Sequence, residues 1–588
     1  MQFFRTFLAG LLALLVGTFT VLPLTLLVLA GVAAAIGGGA EQTVVKPQTI
    51  LEVTLNGEIV EHTGQDPLKL NFGRWLPGLV DTRQLGRYQI IESIDQAATD
   101  DNIEGIYLHL QGSVATGWST LTAIREALER FQASGKFVYA YDEVYGEKSY
   151  YLASMADSIF MPAEGMIEFN GLAATPTFYT GLFEKLELKP QIFRVGTFKS
   201  AIEPYFRKDM SPESRLQTEQ YLGVIWREFA TRVAISRNIP APQIDTLAAT
   251  FIMDDGRRAL RAGLIDALSY ESQMLARLAT ASGRSTRPQL LSLRKYMQAP
   301  RPAHTASDRI AVVFAEGTIQ SGKSSTGVVG SQTIVEELRK AREDSKVKAI
   351  VLRINSPGGS ALASAVMADE IRRCREVKPI IASMGDVAAS GGYYIAAPCS
   401  HIFARPNTIT GSIGIFGVLF DAHATLNNKL GLTFDAVETH TFANIGNPTF
   451  PLAPAESAFI QRQIERGYGD FIETVRQGRG FADSLTVDKI AQGRVWAGSD
   501  AKTHGLIDRL GDLEDAIRYA AEQAGLGDDY RIIRRPLLLD PVSEMLDEMI
   551  ESRTPAVLRS SVETLDQLQR NLPGSGVYML MPYSLDIE

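Results

Sequence analysis

The segment IVLRIN (residues 350–355) runs directly into the turn SPGGS (356–360), and this apolar run followed by a proline-glycine turn decides the fold. A similar run, IYLHLQ, stands 244 residues earlier at 106–111. Two more pairs of segments keep nearly the same spacing: YYLA at 150–153 with YYIA at 393–396, and GLIDAL at 263–268 with GLIDRL at 505–510. The nearly constant offset indicates that one structural unit occurs twice.

Both units alternate apolar runs with helical patterns. The apolar stripe that predicts a helix in the second unit consists of Ile334, Val335, Leu338 and Ala341, and a less complete stripe in the first consists of Ile124, Leu128 and Phe131. Strand and helix therefore alternate along the chain. This order predicts an α/β fold with mostly parallel strands, in which active sites form at strand ends and helix N-termini.

The length of 588 residues is too great for one compact core, so the chain divides into several parts. The predicted parts are a membrane anchor (1–45), a first repeat (46–298), a linker (299–308), a second repeat (309–527) and a C-terminal extension (528–588). The linker APRPAHTASD is rich in proline and small polar residues, as boundaries between units are. The extension has no evident counterpart in the first repeat.

The N-terminal segment predicts a membrane helix. Residues 6–40 are uncharged, and this exceeds the roughly 20 residues that span a bilayer. A cleaved signal peptide is the alternative, with small residues at 33–35 as a processing site, but its apolar region is usually only about 7–15 residues long. We therefore expect an uncleaved single-pass anchor. Arg5 precedes it, which predicts a cytoplasmic N-terminus and a body outside the cytoplasm.

The charge and the cysteine count exclude other classes of protein. The chain carries 58 basic and 67 acidic residues, a net charge of −9, without a basic run that could bind nucleic acid. The two cysteines, Cys374 and Cys399, cannot build a disulfide framework, and the seven histidines lack the spacing of a metal site. We expect neither a metal nor an organic cofactor.

Two glycine-rich turns of the second repeat, absent from the first, carry candidate chemistry. In the turn at 355–360, Pro357 and the paired Gly358 and Gly359 allow backbone N–H groups to point outward and hold an anion. In MGDVAASGGY (384–393), Ser390 lies where a strand meets a helix, so backbone amides and the helix dipole favour negative charge beside its hydroxyl. A simple helix cap is the alternative for this serine.

A serine nucleophile needs a base. His401, His423 and His440 follow Ser390, but none occupies a motif that orients an imidazole toward a carboxylate. The other candidate is Lys199, in the segment GTFKSAIEP (196–204) of the first repeat. Its alternative role is that of a surface lysine paired with a glutamate four residues later, at 203.

Aligning the two repeats suggests one site divided between them. The tyrosine pairs align Glu147 with Ser390, and aligning Phe193 with Phe434 brings Lys199 opposite residues 440–441, His440 or Thr441. Each repeat therefore lacks the group that the other keeps. Nucleophile and base could meet within one chain or between neighbouring chains.

The chain resembles the long, membrane-anchored signal peptide peptidase A (SppA) family of serine proteases. The segments that carry this resemblance are GTFKSAIEP (196–204), NSPGGS (355–360), GDVAASGGYYIA (385–396) and TITGSIGIFG (408–417). The resemblance implies two tandem Clp-protease/crotonase-like repeats, with Ser390 as nucleophile and Lys199 as general base. It further implies an oxyanion hole at Gly391 with Gly358 or Gly359, and a hydrogen bond from Ser412 to the lysine.

The resemblance also implies the biology. We expect a homotetramer in the bacterial inner membrane that degrades remnant signal peptides and other apolar peptides on the extracytoplasmic side.

Lysine must lose its proton near neutral pH, so burial must lower its pKa by roughly 2–3 units. A crotonase-like acyl-CoA enzyme and a catalytically silent membrane scaffold are the alternatives. Both predict that Ser390→Ala is harmless.

Overall fold

The computed structural model describes residues 43–63, 84–111, 114–250, 254–300, 306–536 and 576–580. The predicted anchor lies almost wholly outside these residues. Within the described part of the chain, no helix is both long and apolar enough to cross a membrane.

The strands alternate with helices along most of the chain. The strands are β1 (Thr49–Val53), β2 (Ile59–Val60), β3 (Leu85–Gly86), β4 (Ile103–Leu108), β5 (Phe137–Tyr141), β6 (Val144–Tyr145), β7 (Ser158–Met161), β8 (Met166–Ile167), β9 (Lys189–Arg194), β10 (Ala267–Leu268), β11 (Gln289–Ser292), β12 (Arg309–Glu316), β13 (Thr318–Gln320), β14 (Val328–Gly330), β15 (Val347–Ser356), β16 (Gly358–Ser360), β17 (Ile380–Ala389), β18 (His401–Ala404), β19 (Ile409–Gly411), β20 (Phe416–Asp421), β21 (Val495–Ala497), β22 (Arg509–Leu510), β23 (Arg531–Arg535) and β24 (Gly576–Leu580).

The α-helices cover the sheets. They are α1 (Arg87–Thr99), α2 (Trp118–Ala133), α3 (Glu147–Ala153), α4 (Thr180–Leu186), α5 (Glu203–Phe206), α6 (Pro212–Arg237), α7 (Ala241–Thr250), α8 (Gly256–Arg261), α9 (Glu271–Ala281), α10 (Leu293–Tyr296), α11 (Ser331–Glu343), α12 (Ala361–Val377), α13 (Gly391–Ala396), α14 (Pro454–Arg479), α15 (Ser484–Ile490), α16 (Gly498–Thr503) and α17 (Leu513–Gln523). A 3₁₀ turn spans Ser200–Ile202 and a π-helical turn spans Thr425–Lys429.

Each repeat is built on its own sheet of mostly parallel strands. The first sheet has the order β10-β7-β5-β4-β1-β11, and the main path of the second is β21-β19-β17-β15-β12-β23, with β18 and β22 beside β17. The central strand β15 is buried along nearly its whole length, as expected of a parallel strand covered on both faces. The α/β fold with mostly parallel strands, and both predicted helices, are confirmed.

Matching hydrogen bonds confirm that the two units repeat one another. The Tyr150 hydroxyl donates to the Leu264 carbonyl at 2.7 Å, and the Tyr393 hydroxyl donates to the Leu506 carbonyl at the same distance. In each repeat, the first tyrosine of the pair thus joins a short helix, α3 or α13, to the segment GLID by a hydrogen bond. The sequence pairs that revealed the repeat therefore occupy equivalent positions in the fold.

The second sheet extends past the expected boundary at residue 527. Strand β23 pairs in parallel with β12, just as β11 pairs with β1 in the first sheet. The start of the C-terminal extension therefore has a counterpart in the first repeat after all. Its sequence match was missed because both segments are short edge strands whose side chains are only partly buried.

Buried charges join the two repeats. The Arg353 guanidinium donates to both carboxylate oxygens of Glu61 at 2.9 Å and to Asp512 at 3.1 Å. Asp386, four residues before Ser390, accepts hydrogen bonds from the backbone and hydroxyl of Thr120 in the first turn of α2. Because a buried charge is costly without its partner, these contacts fix how the repeats meet.

A third sheet contains strands of both repeats and brings the candidate residues together. Its order is β14-β13-β16-β24-β20-β9. Strand β9 comes from the first repeat and pairs antiparallel with β20 of the second, with Arg194 opposite Phe416 and Lys189 opposite Asp421. The segment that carries Lys199 leaves the end of β9 beside the second repeat.

Candidate active site

Ser390 occupies a sharp turn between β17 and α13. Its backbone has φ 55° and ψ −115°, a conformation that costs energy for a residue with a Cβ, and its N–H donates to the Gly411 carbonyl at 2.8 Å. Small residues are required around it, because a Cβ on Gly391 would lie 2.7 Å from Ser364 Oγ and one on Gly392 2.7 Å from the Ser356 carbonyl. Ser390 is at the N-cap position, but its side chain caps no N–H.

Lys199 is held between two segments of the second repeat. The Phe198 N–H donates to the Gln492 carbonyl at 2.8 Å, and the Val195 N–H donates to the Ile415 carbonyl at 3.3 Å. A Cβ on Gly493 would lie 2.6 Å from Lys199 Cβ. The backbone of the second repeat thus approaches the lysine too closely for any side chain at 493.

Three oxygen atoms surround the lysine amine. Lys199 Nζ lies 2.9 Å from Ser390 Oγ, 2.9 Å from Ser412 Oγ and 3.0 Å from the Ser412 carbonyl, and all three residues are fully buried. A neutral amine has two N–H donors and one lone pair. The carbonyl can only accept, so the two N–H groups can serve Ser412 while the lone pair accepts the proton of the Ser390 hydroxyl.

The environment of Lys199 favours its neutral form. Complete burial holds the pKa of the lysine well below its usual value, because removal of water penalises the ammonium. Glu203, the partner considered for a surface lysine, instead accepts hydrogen bonds from the backbone and hydroxyl of Ser211. The geometry thus combines an amine whose neutral form is favoured with a hydroxyl at hydrogen-bond distance, the arrangement needed for general-base activation.

The glycines predicted to bind an oxyanion lie next to Ser390. A Cβ built on Gly391 would be 3.2 Å from both Gly358 Cα and Gly359 N. Gly358 and Gly359 have φ values of 104° and 154°, which residues with a side chain rarely adopt. The Gly358 N–H donates to Ser356 Oγ at 3.2 Å, whereas Gly391 is the first residue of a helix, whose first N–H groups lack intrahelical acceptors.

The three histidines have other neighbours. His401 packs on Tyr519, with ring centroids 4.4 Å apart. One ring nitrogen of His423 lies 2.8 Å from the Thr449 carbonyl, and one of His440 lies 3.0 Å from the hydroxyl of the adjacent threonine. None of these contacts involves Ser390. In the described part of the chain, no group of three or more His, Cys, Asp or Glu side chains is arranged to bind a metal.

The equivalent position of the first repeat holds a different group. Glu147 begins α3 and its carboxylate accepts hydrogen bonds from the backbone N–H groups of Asn170 and Gly171. Burial raises the pKa of this carboxyl to about 7. Glu147 is the first residue of α3, whereas Ser390 is the N-cap of α13, so the two positions agree to within one residue, and the first repeat has a carboxyl group there.

The helix ends of the two repeats give a second way to align Lys199 with the second repeat. Glu187 is the C-cap of α4 with φ 57°, and Gly431, 244 residues later, has φ 68° and follows Leu430, the C-cap of the π-helical turn. This offset puts Ala443 opposite Lys199, three residues from His440 and two from Thr441. The pairing of Lys199 with His440 or Thr441 therefore stays a prediction.

A strand of the C-terminal extension lies beside the glycine turn. The backbone of β24 pairs antiparallel with β16, Gly359 opposite Met579, and with β20, Phe416 opposite Tyr578. An extended segment thus runs between the glycines next to Ser390 and the strand that pairs with β9. The sequence left open what the extension covers, because its apolar residues have no repeat that could be aligned.

Comparisons with known proteins agree with this geometry. The model of peptidase family S49 matches residues 130–284 and 372–527, and the Clp protease model matches residues 302–409. Among curated proteins, "Protease 4" of Salmonella typhi is 37% identical over 552 residues, 90% of this chain and 88% of its own length. "Protease 4" of Haemophilus influenzae is 35% identical, covering 84% of this chain and 82% of its own.

A plant protein is similar over much of the same length. "Serine protease SPPA, chloroplastic" of Arabidopsis thaliana is 32% identical over 495 residues, 82% of this chain and 70% of its own length. The similarity thus extends over both repeats and is not confined to the serine motif.

Proposed function

Because this chain belongs to peptidase family S49 and is a serine protease of the protease 4 type, we propose that Ser390 is its nucleophile and Lys199 the general base. The observation that carries this proposal is the distance of 2.9 Å between Lys199 Nζ and Ser390 Oγ within one chain. The alternatives of an acyl-CoA enzyme and a silent scaffold give no reason for a buried lysine at that hydroxyl.

The proposed reaction follows from the protonation states. Neutral Lys199 takes the hydroxyl proton as Ser390 Oγ attacks the peptide carbonyl, which forms a tetrahedral intermediate. The resulting ammonium gives that proton to the leaving amine, and an acyl group remains on Ser390. A water molecule, activated by the same lysine, then hydrolyses the ester and restores the free hydroxyl. Ser412 keeps the amine oriented through both steps.

The negative charge on the tetrahedral intermediate needs hydrogen-bond donors that are held in fixed positions. We propose that the Gly391 N–H and a backbone N–H at Gly358 or Gly359 form the oxyanion hole. Support comes from the contact between the Gly391 position and both glycines, and from the helix that begins at Gly391, whose dipole favours negative charge at this end. Removing one such donor from other enzymes costs about 10²–10³-fold in kcat.

The substrate is an extended peptide. Strand β24 pairs by its backbone on both sides, with β16 and β20, and a peptide bound in the same position would pass Ser390 in the geometry of a β-strand. Similarity to proteins named protease 4 and signal peptide peptidase supports remnant signal peptides and other apolar peptides as substrates. The predicted anchor at 1–45 fits this role, as part of a bacterial inner-membrane protease with its catalytic part outside the cytoplasm.

Self-assembly is supported by two segments without β-partners. From the spacing of the repeats, about 243–244 residues, we infer that residues 173–178 correspond to β20 and residues 433–438 to β9. Residues 173–178 and 433–438 form no strand with any described residue, and Val437 is fully exposed. We propose that 433–438 of one copy pair with 173–178 of the next, as β9 pairs with β20.

This contact joins different surfaces of the two copies and closes into a ring when the rotation allows it. A homotetramer is the proposed ring. By the repeat alignment, each such contact would bring Ala443 of one copy toward Glu147 of the next, so the sites between chains would contain neither a base nor a nucleophile. One active site per chain is the consequence.

The catalytic proposal is tested with the full chain in detergent. Hydrolysis of an apolar reporter peptide is compared for wild type, Ser390→Ala and Lys199→Ala, with the mass of the assembly and the melting temperature as controls for folding. We expect both variants to lose activity by at least about 10³-fold. Wild-type kcat should rise with pH as Lys199 loses its proton. This rise, the acid limb of the pH profile, should occur far below the usual pKa of a lysine. Retained activity in Ser390→Ala would exclude the proposal.

The assembly proposal is tested by light scattering on the same detergent-solubilised chain. The double variant Ala436→Pro/Val437→Pro removes two adjacent N–H groups, at least one of which faces the partner strand. We expect monomers, whereas the matched variant Ala436→Val/Val437→Ile, which keeps both donors, should retain the wild-type mass. A proline variant with the wild-type mass contradicts pairing at this segment.

A further inference from the structure

Gln217 lies on α6, away from the reacting atoms, and is almost completely buried. Its side-chain Nε2 donates to the Phe198 carbonyl at 3.2 Å and to Ser200 Oγ at 2.8 Å. Its Oε1 accepts the Val495 N–H at 3.0 Å. One side chain of the first repeat thus holds both neighbours of Lys199 and also the backbone of the second repeat.

The contact at Val495 leads directly to the other side of the lysine. Val495 is paired with Gly411 in the antiparallel contact between β21 and β19. Gly411 precedes Ser412, whose carbonyl and hydroxyl contact Lys199 Nζ, and the Gly411 carbonyl accepts the Ser390 N–H. The amide of Gln217 therefore connects the segment that presents the lysine with the segment that orients its amine and the nucleophile.

The chemistry of the three contacts requires a carboxamide. A backbone carbonyl can only accept and a backbone N–H can only donate, so the side chain must supply a donor to Phe198 and an acceptor to Val495. A carboxylate lacks the donor, an ammonium lacks the acceptor, and an apolar side chain lacks both. At this buried position an unmatched backbone group would carry the cost of its lost hydration.

We propose that Gln217 is a positioning residue that keeps the Lys199 segment closed against the serine-bearing repeat. This inference rests on the proposed function, because it assigns Gln217 a role in holding the base of that reaction. It acts through Phe198, Ser200 and Val495 and touches neither the substrate nor the reacting atoms.

Loss of this contact has two consequences for the base. The amine moves by a fraction of an ångström relative to Ser390 Oγ, and such misplacement lowers kcat while substrate binding is retained. Water also reaches the lysine, which weakens the effect of burial, so the pKa of Lys199 rises toward its usual value. The acid limb of the pH profile then moves to higher pH, because more alkali is needed to deprotonate the base.

The experiment compares Gln217→Met and Gln217→Glu with Gln220→Met in the full chain. Gln220 is exposed on the same helix, and its side chain accepts from the Arg494 guanidinium instead of the Val495 N–H. The two Gln217 variants keep the side-chain length, so the core remains filled. Glutamate also retains an acceptor for Val495 and adds a negative charge that favours the ammonium form of the lysine.

Two readouts are recorded against pH: kcat with the reporter peptide, and the rate at which a fluorophosphonate labels Ser390, which needs no peptide binding. For Gln217→Met we expect a kcat about 10- to 100-fold lower, KM within about threefold of wild type, and an acid limb about one pH unit higher. For Gln217→Glu the acid limb of the pH profile should move further toward high pH. Gln220→Met should match wild type in both readouts.

The outcomes separate this inference from the proposed function. Gln217 variants that lose thermal stability but keep the wild-type acid limb have only a structural role, and this result overturns the inference. Labelling that depends on Lys199 but is identical in the Gln217 and Gln220 variants also overturns it, and leaves the proposed function intact. Labelling that is equally fast in Lys199→Ala overturns the dyad and the role of Gln217 together.

Discussion

The sites at the start of α13 and α3 occupy equivalent positions in the two repeats. One contains a hydroxyl beside a basic amine, and the other contains an acidic carboxyl group. In the second repeat, Ser390 faces a buried amine, and burial lowers the pKa of that amine. In the first, Glu147 accepts two backbone N–H groups, and burial raises the pKa of its carboxyl to about 7. Both sites use burial to favour an uncharged group, but only one of them contains a nucleophile.

Under the proposed function, this difference explains why both repeats take part in one reaction. The segment that carries Lys199 toward Ser390 follows β9 of the first repeat, so the proposed dyad takes one group from each repeat. A repeated unit can therefore divide its functions. In the proposed reaction, one copy supplies the base and the other supplies the nucleophile.

The largest effect is expected from making the second site resemble the first. Ser390→Glu removes the nucleophile and puts a carboxylate beside Lys199 Nζ, which keeps the lysine charged. Hydrolysis of the reporter peptide should fall by at least about 10³-fold. The reciprocal variant Glu147→Ser should retain wild-type activity. Glu147→Ser combined with Ser390→Ala should stay inactive, and activity in that combination would show that the first site works without a lysine.

An effect about tenfold to 100-fold in kcat is expected from Gly493→Ala. The new Cβ would lie 2.6 Å from Lys199 Cβ, at a residue whose φ of 77° disfavours any side chain, so the lysine must move away from Ser390. Gly469→Ala on α14 is the control, because its Cβ would meet no atom within 4 Å. Steady-state kinetics of the two variants measure the difference, and equal kcat values would contradict the close approach.

A smaller effect, on stability alone, is expected from Glu147→Gln. The pKa of Glu147 is raised in the fold from 4.5 to about 7, so its contribution to stability is present below pH 4.5 and is lost as the pH rises through 7. Glutamine cannot ionise and can still accept from Asn170 and Gly171. Denaturant unfolding should give the variant about 1–3 kcal/mol more stability than wild type at pH 8 and little difference at pH 5. An equal gain in stability at pH 5 and at pH 8 would assign the effect of the substitution to packing.

The smallest effect is expected from removing β24. Deletion of residues 571–588 empties the strand position between β16 and β20, so the reporter peptide no longer competes with the chain's own segment. KM should fall by about two- to tenfold and kcat should stay the same. Deletion of 581–588 alone leaves β24 in place and serves as the control. An unchanged KM in the longer deletion indicates that β24 does not compete with substrate.

The sequence alone was sufficient for the local features. Constant offsets between similar segments identified the repeat, and apolar periodicity predicted α2, α11 and the parallel strands. The small residues around Ser390 placed it between a strand and a helix. These features depend on residues that are near one another in the chain, and such patterns determine secondary structure and turns. Lys199 was assigned by family resemblance, since its surroundings in the sequence fit a surface lysine equally well.

Tertiary structure decided which separated groups meet. Lys199 and Ser390 are 191 residues apart, and they meet because β9 joins the edge of β20 with a particular register. The alignment gave no sign of Gln217 or Gly493. Strand pairing, burial and the resulting pKa of the lysine depend on contacts between distant segments. The sequence therefore determined the repeated unit and its turns, whereas packing of the two units against each other determined the site.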